Sequence, residues 1–235
     1  MGATTAALLL AAVGSQSGET LLVEADAAGG VLAARVPQLG SGLGLEQVAF
    51  DHDTSMHAVA QPFAGTNVVT APADAFRAWS AVGNPRTNWI DQLRRVPGLV
   101  IVDVGSLRGG AVPAWRIVEQ ADSVVMCTTA EPASLVATLA WLDAKGQSAP
   151  NVNGLSGGTE RLLVIDAPVL SGERLGADQV RRELSTRCVG WWPWQPTVVD
   201  LVLRGATPEH RRLRSQPLLS ATRSTLAELL DGSPR

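Results

Sequence analysis

Residues 2–26 read GATTAALLLAAVGSQSGETLLVEAD, and the fold turns on how they are taken. Ala3 to Val13 is an apolar, helix-like run with Thr4 and Thr5 near its start. Thr20 to Glu24 is a short apolar strand, and Asp26 follows in a turn-rich stretch that runs to Gly30. A Gly-Ala-Thr-Thr segment opening a helix has the form of the second half of a phosphate-binding loop. The free N–H groups and dipole of a helix N-terminus favour an anion there. The lysine that such a loop uses is absent, and Ala3 stands in its place.

The 235 residues suit one large domain or two small ones. No internal repeat or clear linker divides them, so a single domain over 1–235 is expected. Apolar residues at 46 % against charged residues at 17 % allow a large core and exclude global disorder. A net charge of −3 gives no electrostatic reason to expect nucleic acid or an anionic membrane as partner. Among the 19 basic residues only Lys145 is a lysine. Cys127 and Cys188 lack metal-ligand spacing and read as reduced thiols of a cytoplasmic protein. No run approaches the roughly 18 apolar residues of a membrane span. Ala6 to Val13 has no basic flank or cleavage site and is not expected to be a signal peptide.

Outward from the first strand, the pattern alternates. Val31 to Arg35 reads as a helical turn, Pro37 to Gly44 as loop, and Asn67 to Thr70 as strand. Helical spacing covers Ala73 to Val82 and resumes over Trp89 to Arg95. The strongest strand is Leu99-Val100-Ile101-Val102, closed by Asp103. A run apolar on both faces is expected near the centre of a sheet covered on both sides. Helices follow over Trp115–Gln120, Ala133–Asp143, Ala177–Leu184 and Pro217–Leu230, and strands over Ser123–Cys127, Leu162–Ile165 and Arg187–Gly190. The polar, Gly-rich stretch from Lys145 to Gly158 is a connection. This alternation predicts an α/β fold with a mostly parallel sheet and helices on both faces.

In open α/β sheets, ligands bind beyond the carboxyl ends of the strands. The helix start at Thr4, the pair Glu24 and Asp26, and the strand-ending Asp103 all fall at such positions. They are the parts of a Mg-nucleotide site: a hydroxyl on the metal, carboxylates on its water shell, backbone N–H groups on the phosphates. Each alone has a plainer reading. Asp103 would serve as a helix cap or turn residue, Thr4 as an N-cap, and Glu24 as a solvated strand end.

GATTAALLLA, LLVEADAAGG, LVIVDVG, ADSVVMCTTAEPASLVATLAWLD and VGWWPWQPTVVDLVLRG stand in this order along nearly the whole chain. Together they resemble the MinD/ParA group of deviant-Walker P-loop ATPases. The resemblance implies a doubly wound P-loop NTPase-like sheet, face-to-face dimers formed with ATP, and work in positioning, partitioning, secretion or pilus assembly. It implies Mg2+ with ATP or ADP as cofactor, bound by Gly2, Ala3, Thr4 and Thr5. Thr4, Asp103 and Glu24 fall on the metal side, and Asp26 beside the attacking water. Pro193 and Trp194 fall where the family's late loop passes the adenine. A partitioning, pilus or secretion component, or a second copy, is the implied partner. DNA binding finds no support in the charge, and the LAELLDGSPR end does not support membrane anchoring.

Two departures shape the expected activity. Ala3 replaces the lysine that holds the β- and γ-phosphates. The chain also begins inside the loop, so relative to the family the first strand and the loop's first half are missing. The missing lysine resembles the atypical loops of the CpaE/TadZ-like members, and the two departures stand together. They lead us to expect weak or absent hydrolysis and no tight nucleotide binding. A scaffold without nucleotide, or a partitioning ATPase whose start lies upstream, are the alternatives. The Trp191–Trp194 run reads as a base-stacking or partner surface, or as a strand end packed under a loop. Arg211, Arg212 and Arg214 read as a solvated patch. His52, Asp53 and His57 in one loop do not amount to a metal site.

Overall fold

The computed structural model describes residues 2–40, 42–84, 89–106, 112–148, 159–168, 174–184 and 188–231. The side chain of Lys145 and most of the Lys145–Gly158 connection lie outside them. Helix α1 is Ala3–Gly14, nearly all buried, and strand β1 is Thr20–Glu24, buried throughout. Short helices α2 (Leu32–Arg35), α3 (Leu45–Phe50) and α4 (Met56–Val59) follow. A hairpin of β2 (Gln61–Phe63) and β3 (Thr66–Val69) comes next. Its turn is Ala64-Gly65, with φ 50° and 87°, the positive pair that matches the twist of a two-residue hairpin. Helices α5 (Ala75–Gly83) and α6 (Trp89–Leu93) lead into β4 (Leu99–Asp103). Then come α7 (Val112–Val118), β5 (Ser123–Thr129), α8 (Pro132–Ser148), β6 (Thr159–Asp166), α9 (Ala177–Leu184), β7 (Cys188–Pro193), α10 (Pro196–Leu203) and α11 (Pro217–Asp231).

The strands form two sheets, ordered β2-β3-β1-β4 and β5-β6-β7. All pairings are parallel except β2 with β3. Helices cover both faces, because the strands alternate their apolar side chains between two cores. On β1, Leu22 joins a core shared with α1, α10 and α11, which includes Leu8, Leu9, Val202 and Leu218. Leu21 and Val23 point the other way, among Val48, Val82 and Trp89 from α3, α5 and α6. The second sheet turns Leu163 and Trp192 to the first core and Leu162 and Val164 toward α8 and α9. The expected α/β class with helices on both faces is what the chain adopts.

One expectation fails. The run Leu99–Val102 is expected near the centre of the sheet, but among the described residues β4 is the last strand of its sheet, and these four residues are only half-buried. Its faces are covered as expected, with Leu99 and Ile101 against one core and Val100 and Val102 against the other. An apolar run on both faces reports what lies above and below a strand; it carries no information on what lies beside it.

Candidate functional site

Thr4, Asp26 and Asp103 meet at the carboxyl end of the first sheet. Asp103 closes β4 in register with Glu24 of β1, and the Ala25 N–H donates to the Asp103 carbonyl oxygen at 2.7 Å. The Asp103 side chain is 3 % exposed. Its Oδ1 accepts the Gly105 N–H at 3.1 Å, while Oδ2 is buried without a hydrogen-bond partner. Burial raises its pKa. The Thr4 hydroxyl and the Gly105 N–H pull the other way, Asp26 raises it further, and Arg35 lowers it. The Thr4 hydroxyl thus faces this carboxylate without closing a bond to Oδ2. Asp26, half-buried, accepts the Ala28 N–H at 2.8 Å on Oδ1.

Above them opens α1. Gly2 is its N-cap in extended conformation and offers no side-chain cap, and the first turn holds no acid. Nothing lies within 4 Å of where a Gly2 side chain would begin. The first N–H groups of a twelve-residue helix therefore have no side-chain cap beside a buried, unpartnered carboxylate oxygen. Ala3 and Thr4 are half-buried at this opening, and Thr5 is buried one step further in.

Glu24 is deployed differently from a metal ligand. It is fully buried. Oε1 accepts the N–H groups of Val31 at 2.6 Å and Leu32 at 2.9 Å, and Oε2 that of Ala71 at 3.1 Å. Burial raises its pKa, against the pull of these three donors. Glu24 thus ties the loop before α2 and the end of β3 to the top of β1. Pro193 and Trp194 stand at the carboxyl end of β7, the strand of the second sheet farthest from β5, with Trp194 37 % exposed. Trp192 is fully buried, and its Nε1 donates to Thr225 at 2.9 Å. At Trp192, then, the tryptophan run is packing.

Two residues of the site were not singled out from the sequence. Gly105, at φ 66°, lies so close to Asp26 that a Cβ would sit 2.1 Å from its Cγ. It permits the two carboxylates to share one opening, and the signal was a glycine two residues after a strand-ending aspartate. Arg35 closes α2 and adds a positive field at Asp103; nothing in its local sequence marks it. No group of metal-binding side chains of the His/Cys/Asp/Glu kind forms among the described residues, His52, Asp53 and His57 included. No helix among them is long and apolar enough to cross a membrane.

A buried carboxylate with one oxygen left without a partner costs stability, so Asp103→Asn is expected to raise the thermal midpoint at neutral pH. The sign follows from the raised pKa: a group that binds its proton more tightly when folded loses stabilisation as pH rises through that pKa. The advantage of asparagine should therefore shrink as pH falls toward 3.8, the ordinary value. Melting curves of both proteins between pH 4 and pH 8 check it, and an asparagine variant less stable at neutral pH would contradict it.

No protein-family model matches the chain, and no curated protein matches it in sequence. Solved structures do match in fold. The cell division ATPase MinD of Pyrococcus furiosus superposes with a TM-score of 0.72 at 14 % identity, over 98 % of this chain and 93 % of that one. MinD of Pyrococcus horikoshii, solved with Mg-ADP, gives 0.70 at 15 % over 98 % and 92 %. A ParA family ATPase of Chlorobium tepidum gives 0.68 at 15 % over 97 % and 91 %. The chain has the fold of these MinD- and ParA-type ATPases.

Proposed function

We propose that this chain is a cytoplasmic nucleotide-binding protein of the MinD/ParA kind. On this reading it acts in spatial positioning, partitioning, or secretion and pilus assembly, with weak or absent ATP hydrolysis. The observation that carries the reading is the Asp103 Oδ2, buried without a partner beside the Thr4 hydroxyl and the uncapped start of α1. That donor set fits a Mg-nucleotide. Thr4 and Asp103 are the metal-side groups, the first N–H groups of α1 the phosphate-side donors, and Asp26 the carboxylate on the water side. Bound there, Mg2+ would neutralise phosphate charge. The chain's own part is to hold Thr4 and Asp103 together and to keep Asp26 against Gly105. Glu24 serves this reading by fixing the loop that carries Asp26.

Hydrolysis is expected to be weak because no side chain of the Gly2–Thr5 segment brings a positive charge to the phosphates. Binding of Mg-ATP is expected in the high-micromolar to millimolar range, and the Asp103→Ala variant should not bind. Isothermal titration checks both. A dissociation constant at or below the micromolar level would make the protein a nucleotide switch, and binding unchanged by Asp103→Ala would remove the site.

A protein partner, or a second copy, fits the surface. Phe50, Phe76 and Trp79 on α3 and α5 are 54 %, 80 % and 45 % exposed. Phe50 and Trp79 line one cavity of about 560 Å³ with His52 and Asn84. Clustered exposed aromatics of this kind mark interaction surfaces. This patch supports the alternative in which the chain is an assembly scaffold that no longer uses nucleotide.

A further inference from the structure

Helix α5 reverses the usual order of its side chains. Its buried face is Ala78, Ala81 and Val82, and its outward face carries Phe76 and Trp79. A surface helix ordinarily turns its bulky apolar stripe inward. Here small residues supply the core contact, and the two largest side chains of the helix stand in solvent. Helix α3 does the same at its end. Leu45, Val48 and Ala49 are buried, and Phe50 is exposed.

The two helices lie side by side and run the same way. The Arg77 guanidinium near the start of α5 pairs with Glu46 in the first turn of α3. Past the other end of α5, the Asn84 side-chain amide donates to the Ala49 carbonyl oxygen at 3.4 Å. Phe50 and Trp79 line one cavity of about 560 Å³, and Phe76 lies one turn before Trp79 on the same face of α5. The nine residues of α5 measure roughly 13 Å, so the aromatic row is about that long.

A carboxylate stands at each end of the row. Asp74 is the N-cap of α5, and its Oδ1 accepts the Arg77 N–H at 2.8 Å. Asp51 follows Phe50 and accepts the Thr54 hydroxyl at 2.6 Å and the Asp53 N–H at 3.0 Å. The Thr54 hydroxyl above all holds the Asp51 carboxyl below its ordinary pKa, so it stays charged. Neither Asp51 nor Asp74 has an ion-pair partner among the described residues. The other charges nearby offset each other. Glu46 is paired with Arg77. His52 also lines a second cavity, where Asp53 and Arg95 face the same space.

From this arrangement we propose that the α3–α5 face receives a short amphipathic helix of a protein partner, with bulky apolar side chains along one stripe and a lysine or arginine beyond each end of it. The stripe fills the cavity between Phe50 and Trp79 and covers Phe76, in the manner of a helix laid in an apolar groove. The basic ends meet Asp51 and Asp74. Two cations roughly 13 Å apart are about nine residues apart on a helix. The same charges remove the other occupants. A second copy docking by this face would set the carboxylates of Asp51 and Asp74 against their own kind. An anionic membrane or a nucleic acid would meet the same repulsion. The proposal specifies the partner for the exposed aromatic surface and rests on that part of the function proposed above; the nucleotide site plays no part in it.

The test pans a display library of helix-forming peptides, about 16 residues or 24 Å long, on the whole chain and in parallel on its Phe76→Ser, Trp79→Ser double variant. Enriched peptides are then titrated by fluorescence anisotropy at low and high salt. The expected result is enrichment on the parent chain alone, of peptides with Leu, Phe or Trp at helical spacing and Lys or Arg at both ends. The pair Asp51→Asn and Asp74→Asn keeps the cap of α5. It should weaken those peptides by roughly tenfold or more and flatten their salt dependence. The asparagine pair carries the test by itself if the serine variant melts below the parent. Equal enrichment on the serine variant overturns the proposal. So do enriched peptides with neutral or acidic ends, and affinity that the asparagine pair leaves unchanged. Sedimentation of the chain alone, and with phosphatidylglycerol vesicles, tests the other occupants. A dimer, or vesicle binding, that Phe76→Ser abolishes would give the face to a second copy or to a membrane and would overturn the partner. Mg-ATP is left out of every sample, so this result and the titration of the nucleotide site can fail separately.

Discussion

Glu24→Ala is expected to lower the thermal midpoint by roughly 6–12 °C. The residue is fully buried, and its two oxygens accept three backbone N–H groups, from Val31, Leu32 and Ala71. Alanine leaves those donors without an acceptor. The Leu32 and Ala71 donors are buried and that of Val31 is part-buried; a buried donor so orphaned costs about 1–3 kcal/mol, and water entering the vacated space recovers part of that. Taking the low end for each donor, the loss is about 3 kcal/mol, at about 2–4 °C per kcal/mol for a domain of this size. Glu24→Gln separates hydrogen bonding from volume. Its amide oxygen keeps one set of donors, and its NH2 group is turned against the other, so an intermediate loss is expected. The glycine at position 30 shows how tight this contact is, since a Cβ there would lie 2.6 Å from the Glu24 Oε2. A midpoint within 2 °C of the parent protein for Glu24→Ala would show that the loop before α2 is held by something else.

That role for Glu24 was not legible in the sequence, and the reason is physical. A charged residue that ends a strand reads as solvated or as a ligand, because buried carboxylates are rare unless paired. What pairs this one is main chain, and main-chain donors leave no mark in side-chain identity. The glycines at 29 and 30 were the available signal, as places where backbone comes close. Other parts were plain. The TLLVE strand and the Ala177–Leu184 helix fall on the expected residues, since each is bounded by polar or turn residues. Helix α10 was missed because TVVDLVL is rich in β-branched residues, and only Pro196 at its first position marks it. Strand β2 was missed because Pro62 argues against a strand; an outer strand of the sheet tolerates it. The convergence of Thr4, Asp26 and Asp103 was readable from strand ends and a helix start alone. The half-open flank of β4 was not, because hydrophobic period reports faces and never edges.

Ala3→Lys is expected to tighten Mg-ATP binding by ten- to more than a hundredfold. Residue 3 is the first residue of α1, half-buried at the same opening as Thr4. The carboxylates of Asp26 and Asp103 lie at this opening, so the site as it stands holds two acids beside an incoming triphosphate. A lysine adds a charge-assisted contact to the phosphates, about 1.5–3 kcal/mol, and each 1.4 kcal/mol is a factor of ten in affinity. In the free protein two effects oppose each other: a cation in the first helical turn opposes the helix dipole by about 0.3–1 kcal/mol, and the two carboxylates at the opening attract it, so the midpoint without nucleotide should change little. The rise on adding Mg-ATP should be larger than in the parent protein. Ala3→Gln, of similar length and no charge, should show no such larger rise. Titration calorimetry and melting curves on the three proteins decide it. An Ala3→Lys protein that binds no tighter than its parent would mean that residue 3 does not face phosphate, and the site around Asp103 would then have to be read as a packing feature of the scaffold.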